Sequence, residues 1–208
     1  YHYTFNDEFI ELLNTTPRPI DLSMWTIATD DDFVVGLYPG TIIGPYERFL
    51  IVDHNTIPYD DFTPQFRGGA YTDPDFVMNS ANDARFLRMN LRNARFKLYL
   101  RDPRGVAVDE AGNGTAPFHG GRDRRGSDDP RQQVVRSMER VHFTCADDDS
   151  DCQRIGPGDH PSSWQACSRA DATHIRAEHQ NNVMATPGRP NSGMESYPEE
   201  RPNWRSAR

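Results

Sequence analysis

Residues 5–27 read FNDEFIELLNTTPRPIDLSMWTI, and the way this stretch divides decides the fold. Phe9, Ile10, Leu12 and Leu13 form a short apolar run, and Leu22, Met24, Trp25 and Ile27 form a second. Between them Pro17 and Pro19 have no N–H to give a strand ladder, while Asn14, Thr15 and Thr16 bond readily to nearby backbone, so the connection is a loop. The expectation is two strands joined by a turn, with Trp25 as the large filler from which a β core is built outward.

Further strand patterns follow. Asp30-Asp31-Asp32 turns into a strand over 33–37, which Tyr38-Pro39-Gly40 ends, and the near-continuous apolar run 48–52 belongs at the centre of a sheet. Residues 53–75 carry Pro58, Pro64, Gly68, Gly69 and Pro74 among Tyr59, Phe62, Phe66 and Tyr71, which points to an ordered loop over the core or docked on a partner. Strand patterns resume at 76–78 and 85–89. Alternation is clearest where Phe96, Leu98 and Leu100 interleave with Lys97, Tyr99 and Arg101, giving one buried and one wet face. Asp102-Pro103-Arg104-Gly105 then makes a turn, and Val106 and Val108 begin the return strand.

Residues 110–133 are rich in Gly, Asp and Arg with little to bury, and are expected as a mobile or partner-ordered loop. Val134, Val135, Met138 and 141–143 give a late strand pair. A second polar excursion spans 145–182 with Trp164 as its apolar anchor, and a polar tail over 193–208 carries Trp204, an aromatic suited to docking.

Several of these pieces, in this order, resemble the lamin-tail domain. They are DEFIELLN (7–14), DLSMWTI (21–27), Tyr38-Pro39-Gly40 leading into 48–52, FKLYL (96–100) with DPRGVAVD (102–109), SMERV (137–141), SSWQ (162–165) and the closing ATPGRPN (185–191). Met24 departs from the pattern, since that family usually has Gly before the Trp. The resemblance implies an all-β fold, an immunoglobulin-like antiparallel β-sandwich of about eight to nine strands; to it this chain adds long loop insertions, which depart from the family pattern, and an extended C-terminal tail. The sandwich would occupy 1–192. It also implies placement at a bacterial surface or in secreted material.

Composition sets bounds on function. The 208 residues are 36% hydrophobic and carry a formal charge of −8, and the mean hydropathy is −0.80, so much of the chain lies in polar loops. The acidic balance argues against a nucleic-acid partner held mainly through phosphates, although a local Arg patch is compatible with it. No apolar run is long enough for a membrane helix. A chain that starts at Tyr1 and already reads as a strand is expected to be processed or partial. Lys97 is the single Lys, and all other basic residues apart from His are Arg.

Candidate sites are few. Asp147, Asp149 and Asp151 alternate like the start of a calcium loop, but Cys152 and Gly158 stand where such a loop would need Gly and a closing Glu, so a solvated acidic loop is the alternative. Cys145 and Cys152 are close enough in sequence for a disulfide, with three reduced thiols, Cys167 included, as the alternative. Arg122, Arg124 and Arg125 form a basic cluster suited to an anionic glycan, a phosphate or an acidic subunit, or to local pairing with Asp123, Asp128 and Asp129. Asn14-Thr15-Thr16 and Asn113-Gly114-Thr115 match glycan acceptor patterns. No nucleophile elbow, phosphate loop or paired-His zinc helix occurs, and His119 with Asp123 has no nucleophile tied to it.

The expectation is therefore a non-enzymatic structural or adhesion module that is extracellular, on the cell surface or periplasmic. It would bind partner subunits or a surface polymer through its loops and its tail, Trp204 included, and need no cofactor unless calcium. The alternatives are an accessory binding domain of a larger secreted hydrolase of nuclease or phosphoesterase type, and a calcium-dependent surface protein.

Overall fold

The computed structural model describes residues 8–30, 33–52, 56–57, 67–68, 75–77, 91, 94–123, 134–144, 153–168, 183–187 and 191. Its strands, in chain order, are β1 (Phe9–Leu13), β2 (Ile20–Asp21), β3 (Thr26–Ala28), β4 (Phe33–Gly36), β5 (Ile42–Ile43), β6 (Arg48–Val52), β7 (Thr56–Ile57), β8 (Arg67–Gly68) and β9 (Phe76–Val77). They continue as β10 (Phe96–Arg101), β11 (Ala107–Thr115), β12 (Gly121–Asp123), β13 (Val134–Arg136), β14 (Met138–Arg140), β15 (His142–Thr144), β16 (Gln153–Ile155), β17 (Trp164–Ala166) and β18 (Val183–Met184). One 3-10 turn, Pro161–Ser163, precedes β17, and no α-helix occurs among the described residues.

Two sheets carry the core. The first has the order β1-β6-β9, with β1 antiparallel and β9 parallel to β6; the second has the order β11-β10-β3-β4 and is antiparallel throughout. One buried cluster draws Phe49, Ile51 and Phe76 from the first sheet and Ile27, Val35, Phe96 and Leu98 from the second. Leu22 and Leu37 join from the connections and Ile43 from β5, and Trp25 packs against the cluster partly buried. Burying such side chains stabilises by roughly 1.5–3 kcal/mol each, so this shared cluster is the main reason the two sheets stay together.

The two runs of the opening stretch do not pair with each other. Leu13↔Arg48 and Phe9↔Val52 place β1 beside β6, whereas Tyr99↔Ala28 and Ile27↔Val35 place β3 between β10 and β4. The connection carries the chain from one sheet to the other, and Asn14 holds it. Its side chain is 2% exposed; Nδ2 donates to the carbonyls of Arg18 (2.6 Å) and Gly44 (2.8 Å), and Oδ1 accepts from Thr16 N–H (2.9 Å) and Oγ1 (2.8 Å). Satisfying every polar atom of a buried amide makes the loop a fixed part of the core rim.

At Met24 the backbone turns with φ 63° and the side chain is 58% exposed. This left-handed conformation favours Gly, which is the residue that the resembled pattern has here.

The 96–109 region folds as the sequence leads one to expect. Phe96 and Leu98 are buried, while Lys97 and Arg101 flank the Tyr99 ring on the other face at 5.0 and 4.9 Å from its centre. Asp102 closes the hairpin: Oδ1 accepts from the N–H groups of Arg104 and Val106 (2.9 Å each), and Oδ2 takes the Arg104 side chain at 2.9 and 3.0 Å.

Beyond this point the loop expectation for 110–133 is corrected. Residues 110–115 continue β11, Phe118 is 7% exposed, and 121–123 form β12. The apolar content of 110–115 is low because the strand is anchored by its backbone and by neighbouring polar groups. Residues 124–133 lie outside the described residues, as do the 85–89 pattern, most of the 53–75 segment and the tail over 192–208. The expected late strand pair is three strands, each paired elsewhere: β13 with β12 and β18, β14 with β17, and β15 with β16.

Candidate functional site

The site is built on the outer edge of β11. On its inner side β11 pairs with β10 through Leu98↔Ala111, Tyr99↔Glu110 and Leu100↔Asp109, with irregularities on both sides of this ladder. On its outer side the Gly112 N–H donates to the carbonyl of Gly158 (2.9 Å), and the Glu110 carbonyl accepts from Arg140 Nη1 (3.1 Å). An exposed strand edge is thereby capped over 110–112, which blunts pairing with another chain there. Val106 and Val108, before the cap, stay 54% and 56% exposed.

Arg140 ends β14 and is the centre of the cap. Its Nη2 donates to the Gly156 carbonyl (2.6 Å) and lies 3.4 Å from Asp109 Oδ1, and its guanidinium sits 4.8 Å from the centre of the Trp164 ring. The fork shape of Arg suits this work, since one planar group bonds two carbonyls and stacks on an aromatic face. The ring is in turn fixed by Trp164 Nε1 donating to Gly158 (2.9 Å), and Asn191 Nδ2 donates to the Arg140 carbonyl (2.8 Å).

One residue earlier, Glu139 is 4% exposed. Its carboxylate accepts from Thr186 Oγ1 (2.8 Å) and Gln165 Nε2 (3.4 Å). A buried carboxylate is costly unless hydrogen-bonded, and these donors offset part of that cost at Glu139. Nearby, Lys97 Nζ is 3.3 Å from Glu110 Oε2. Its amine is held above the ordinary Lys value, first by hydrogen bonding to Tyr99 and then by Glu110, against a desolvation that pulls it down.

Beside this cap lies an open cleft of about 720 Å³. Its floor is apolar, with Leu22 and Ile43 from the core and Trp25 and Leu100 around them. One wall is the Asn14-Thr15-Thr16 connection; the other is formed by 107–110, Arg140 and 156–158. The arrangement sets an apolar floor below hydroxyl, carboxylate and backbone groups at the rim, a combination typical of binding clefts. Among the described residues, no three His, Cys, Asp or Glu side chains gather where a metal ion would be held.

Of the residues singled out from sequence, Asp147, Asp149, Asp151, Cys145, Cys152, Arg124, Arg125 and Trp204 lie outside the described residues. Arg122 is placed on β12 opposite Val135. Cys167 is wholly buried, its carbonyl accepting from Arg136 Nη1 (2.8 Å). Sequence reasoning did not select Glu139, Arg140, Glu110 or Gly158 as functional. The available signal was the SMERV, SSWQ and ATPGRPN pieces, which the fold joins through Glu139, Arg140, Trp164, Gln165, Thr186 and Asn191. Comparison of the chain with protein-family models, with curated proteins and with solved structures finds no match.

Proposed function

We propose that the chain is an immunoglobulin-like sandwich module of the lamin-tail type, acting outside the cytoplasm as a non-enzymatic structural or adhesion unit. The partner is another protein subunit, received at the cleft and across the exposed Val106 and Val108 at the start of β11. Support for the sandwich comes from the single core cluster shared by the two main sheets. Support for the lamin-tail type comes from the order of its sequence pieces along the chain, from DEFIELLN at 7–14 to ATPGRPN at 185–191.

The observation that carries the binding reading is the pairing of an open, apolar-floored cleft, whose wall includes the half-exposed Val108, with the half-exposed Val106 two residues earlier in the chain. Arg140, the one cation in the described cleft lining, directs its Nη groups to carbonyls and to Asp109, so the cleft offers an anion little. An apolar protein surface suits it better than an acidic polymer.

The test is the size of the native material by light scattering, with and without chelator, beside a Val106→Asp/Val108→Asp double variant. Assembly in the parent and its loss in the variant, with unchanged circular dichroism, is the expected result. A parent that stays monomeric alone and with its co-purifying proteins overturns the reading.

A further inference from the structure

We propose that Asn113 is the position at which this fold accepts an N-linked glycan, and that Asn14, which carries the same acceptor pattern, is closed to it. The two patterns are alike in sequence, Asn14-Thr15-Thr16 and Asn113-Gly114-Thr115, but the fold treats them in opposite ways.

At Asn14 the acceptor atom itself is used up. Both hydrogens of Nδ2 are engaged, at 2.6 and 2.8 Å, by the carbonyls of Arg18 and Gly44, and the residue is 2% exposed. A sugar on that nitrogen would replace one of those two hydrogens, remove a core-rim hydrogen bond and demand space that the connection does not have.

Asn113 stands in a bulge. Opposite Phe96 and Leu98 the register jumps from Thr115 to Ala111, so 112–114 swing out of the ladder. Gly112 and Gly114 hold the swing with φ 84° and 83°, a backbone that side-chain-bearing residues rarely adopt. Gly112 is needed twice over, because a Cβ there would collide with the Phe96 carbonyl, while Gly114 has open space around it. Asn113 is exposed, its Oδ1 accepts from Thr115 Oγ1 (2.7 Å) and N–H (3.2 Å), and its Nδ2 makes no hydrogen bond among the described residues. The carbonyl half of the amide is thus tethered by the hydroxyl that defines the acceptor pattern, and the nitrogen half faces solvent. Asn113 is outside the described cleft lining, so a glycan there is compatible with a partner in the cleft.

The transfer needs a lipid-diphosphate-linked oligosaccharide and its transferase. The bond from the sugar's anomeric carbon to the diphosphate breaks, the bond to Asn113 Nδ2 forms, the amide proton passes to a base on the transferase, and the lipid diphosphate leaves.

The experiment is secretion of the full chain from a eukaryotic host that supplies both, followed by intact mass and glycopeptide mapping. The expected result is a mass gain of one oligosaccharide, mapped to Asn113, that is lost in Asn113→Gln and Thr115→Ala and kept in Thr115→Ser. Thr16→Ala, which removes only the other pattern, is expected to leave the gain unchanged. A folded, secreted chain without sugar at Asn113, or one with sugar at Asn14, overturns the proposal.

Discussion

The Arg140 guanidinium lies 4.8 Å from the centre of the Trp164 ring, and both groups bond to carbonyls of the same short segment, Arg140 to Gly156 and Trp164 to Gly158. The pair therefore works as a clamp that holds 156–158 against the edge of β11.

Replacing Arg140 by Ala leaves the Glu110 and Gly156 carbonyls without this donor and uncovers the Trp164 ring. The expected loss is about 2–4 kcal/mol in urea unfolding, the sum of two orphaned acceptors and a cation–π contact. Lys recovers little of it, because a point ammonium cannot bond both carbonyls and stack. The Asp109 partner, 3.4 Å away and 58% exposed, matters far less, and Asp109→Ala is expected to cost under about 0.5 kcal/mol. Equal effects for the two substitutions would mean that the ion pair, rather than the carbonyl bonds, holds the clamp.

Gly158 is a glycine for want of space. A Cβ there would collide with the Glu110 carbonyl and meet Arg140 Nη1 at 2.9 Å. Gly158→Ala is expected to cost roughly 1–3 kcal/mol, in the range of overpacked sites, and to speed hydrogen exchange at Gly112. Gly105 makes the contrasting case: nothing lies near its Cβ position, but φ is 84°, so Gly105→Ala costs only about 1–2 kcal/mol of backbone strain. Exchange at Gly112 should not respond to that change.

Met24 pays for its backbone conformation without a visible return, since its side chain is mostly exposed. A non-Gly residue in this region costs about 1–2 kcal/mol, and Gly at the same place forfeits about 0.5–1 kcal/mol of unfolded-chain freedom. Met24→Gly is therefore expected to raise the melting temperature slightly, and a fall would show that the Met side chain makes a contact in solution that outweighs the strain.

The Asp102 carboxyl is pushed up by its partial desolvation, but the Val106 N–H, the Arg104 side chain and the Arg104 N–H together hold it below the ordinary 3.8. A depressed folded-state value means that its contribution is complete above 3.8 and fades as the pH falls through the lower value. The parent should lose melting temperature on acidification through that window more steeply than Asp102→Asn, which has no such proton to take up. Parallel curves would show that the carboxylate charge does not hold the hairpin.

How much of this was legible depends on what each segment does with its backbone. The β10–β11 hairpin was readable because alternation at 96–101 and the Asp-Pro-Arg-Gly turn are local signals that the same few residues satisfy. The run at 48–52 was readable because β6 lies between two strands and buries Phe49 to Val52 in succession. The opening stretch misled in two respects: its first run is β1, but of its second only Ile27 lies in a strand, with Leu22, Met24 and Trp25 in the connection between β2 and β3. Nor does local sequence say that Asn14 would bond to Gly44, thirty positions on, and lock the connection between sheets. Residues 110–115 looked loop-like because a bulge that needs glycines resembles a linker in composition. The cap around Arg140 was hidden for a further reason. Its partners are main-chain carbonyls, which every residue possesses and no sequence pattern marks.

The bond from Asn191 to the Arg140 carbonyl, the Thr186 bond to Glu139 and the parallel pairing of β18 with β13 carry a consequence for biosynthesis. Every strand of the two core sheets lies at or before Thr115, so these sheets can assemble on a ribosome-bound chain while later residues are still being made. Glu139 then waits without its Thr186 donor until some fifty further residues have emerged. Until that moment the two core sheets have all their strands, while the flank around Glu139 still lacks the donors that close it.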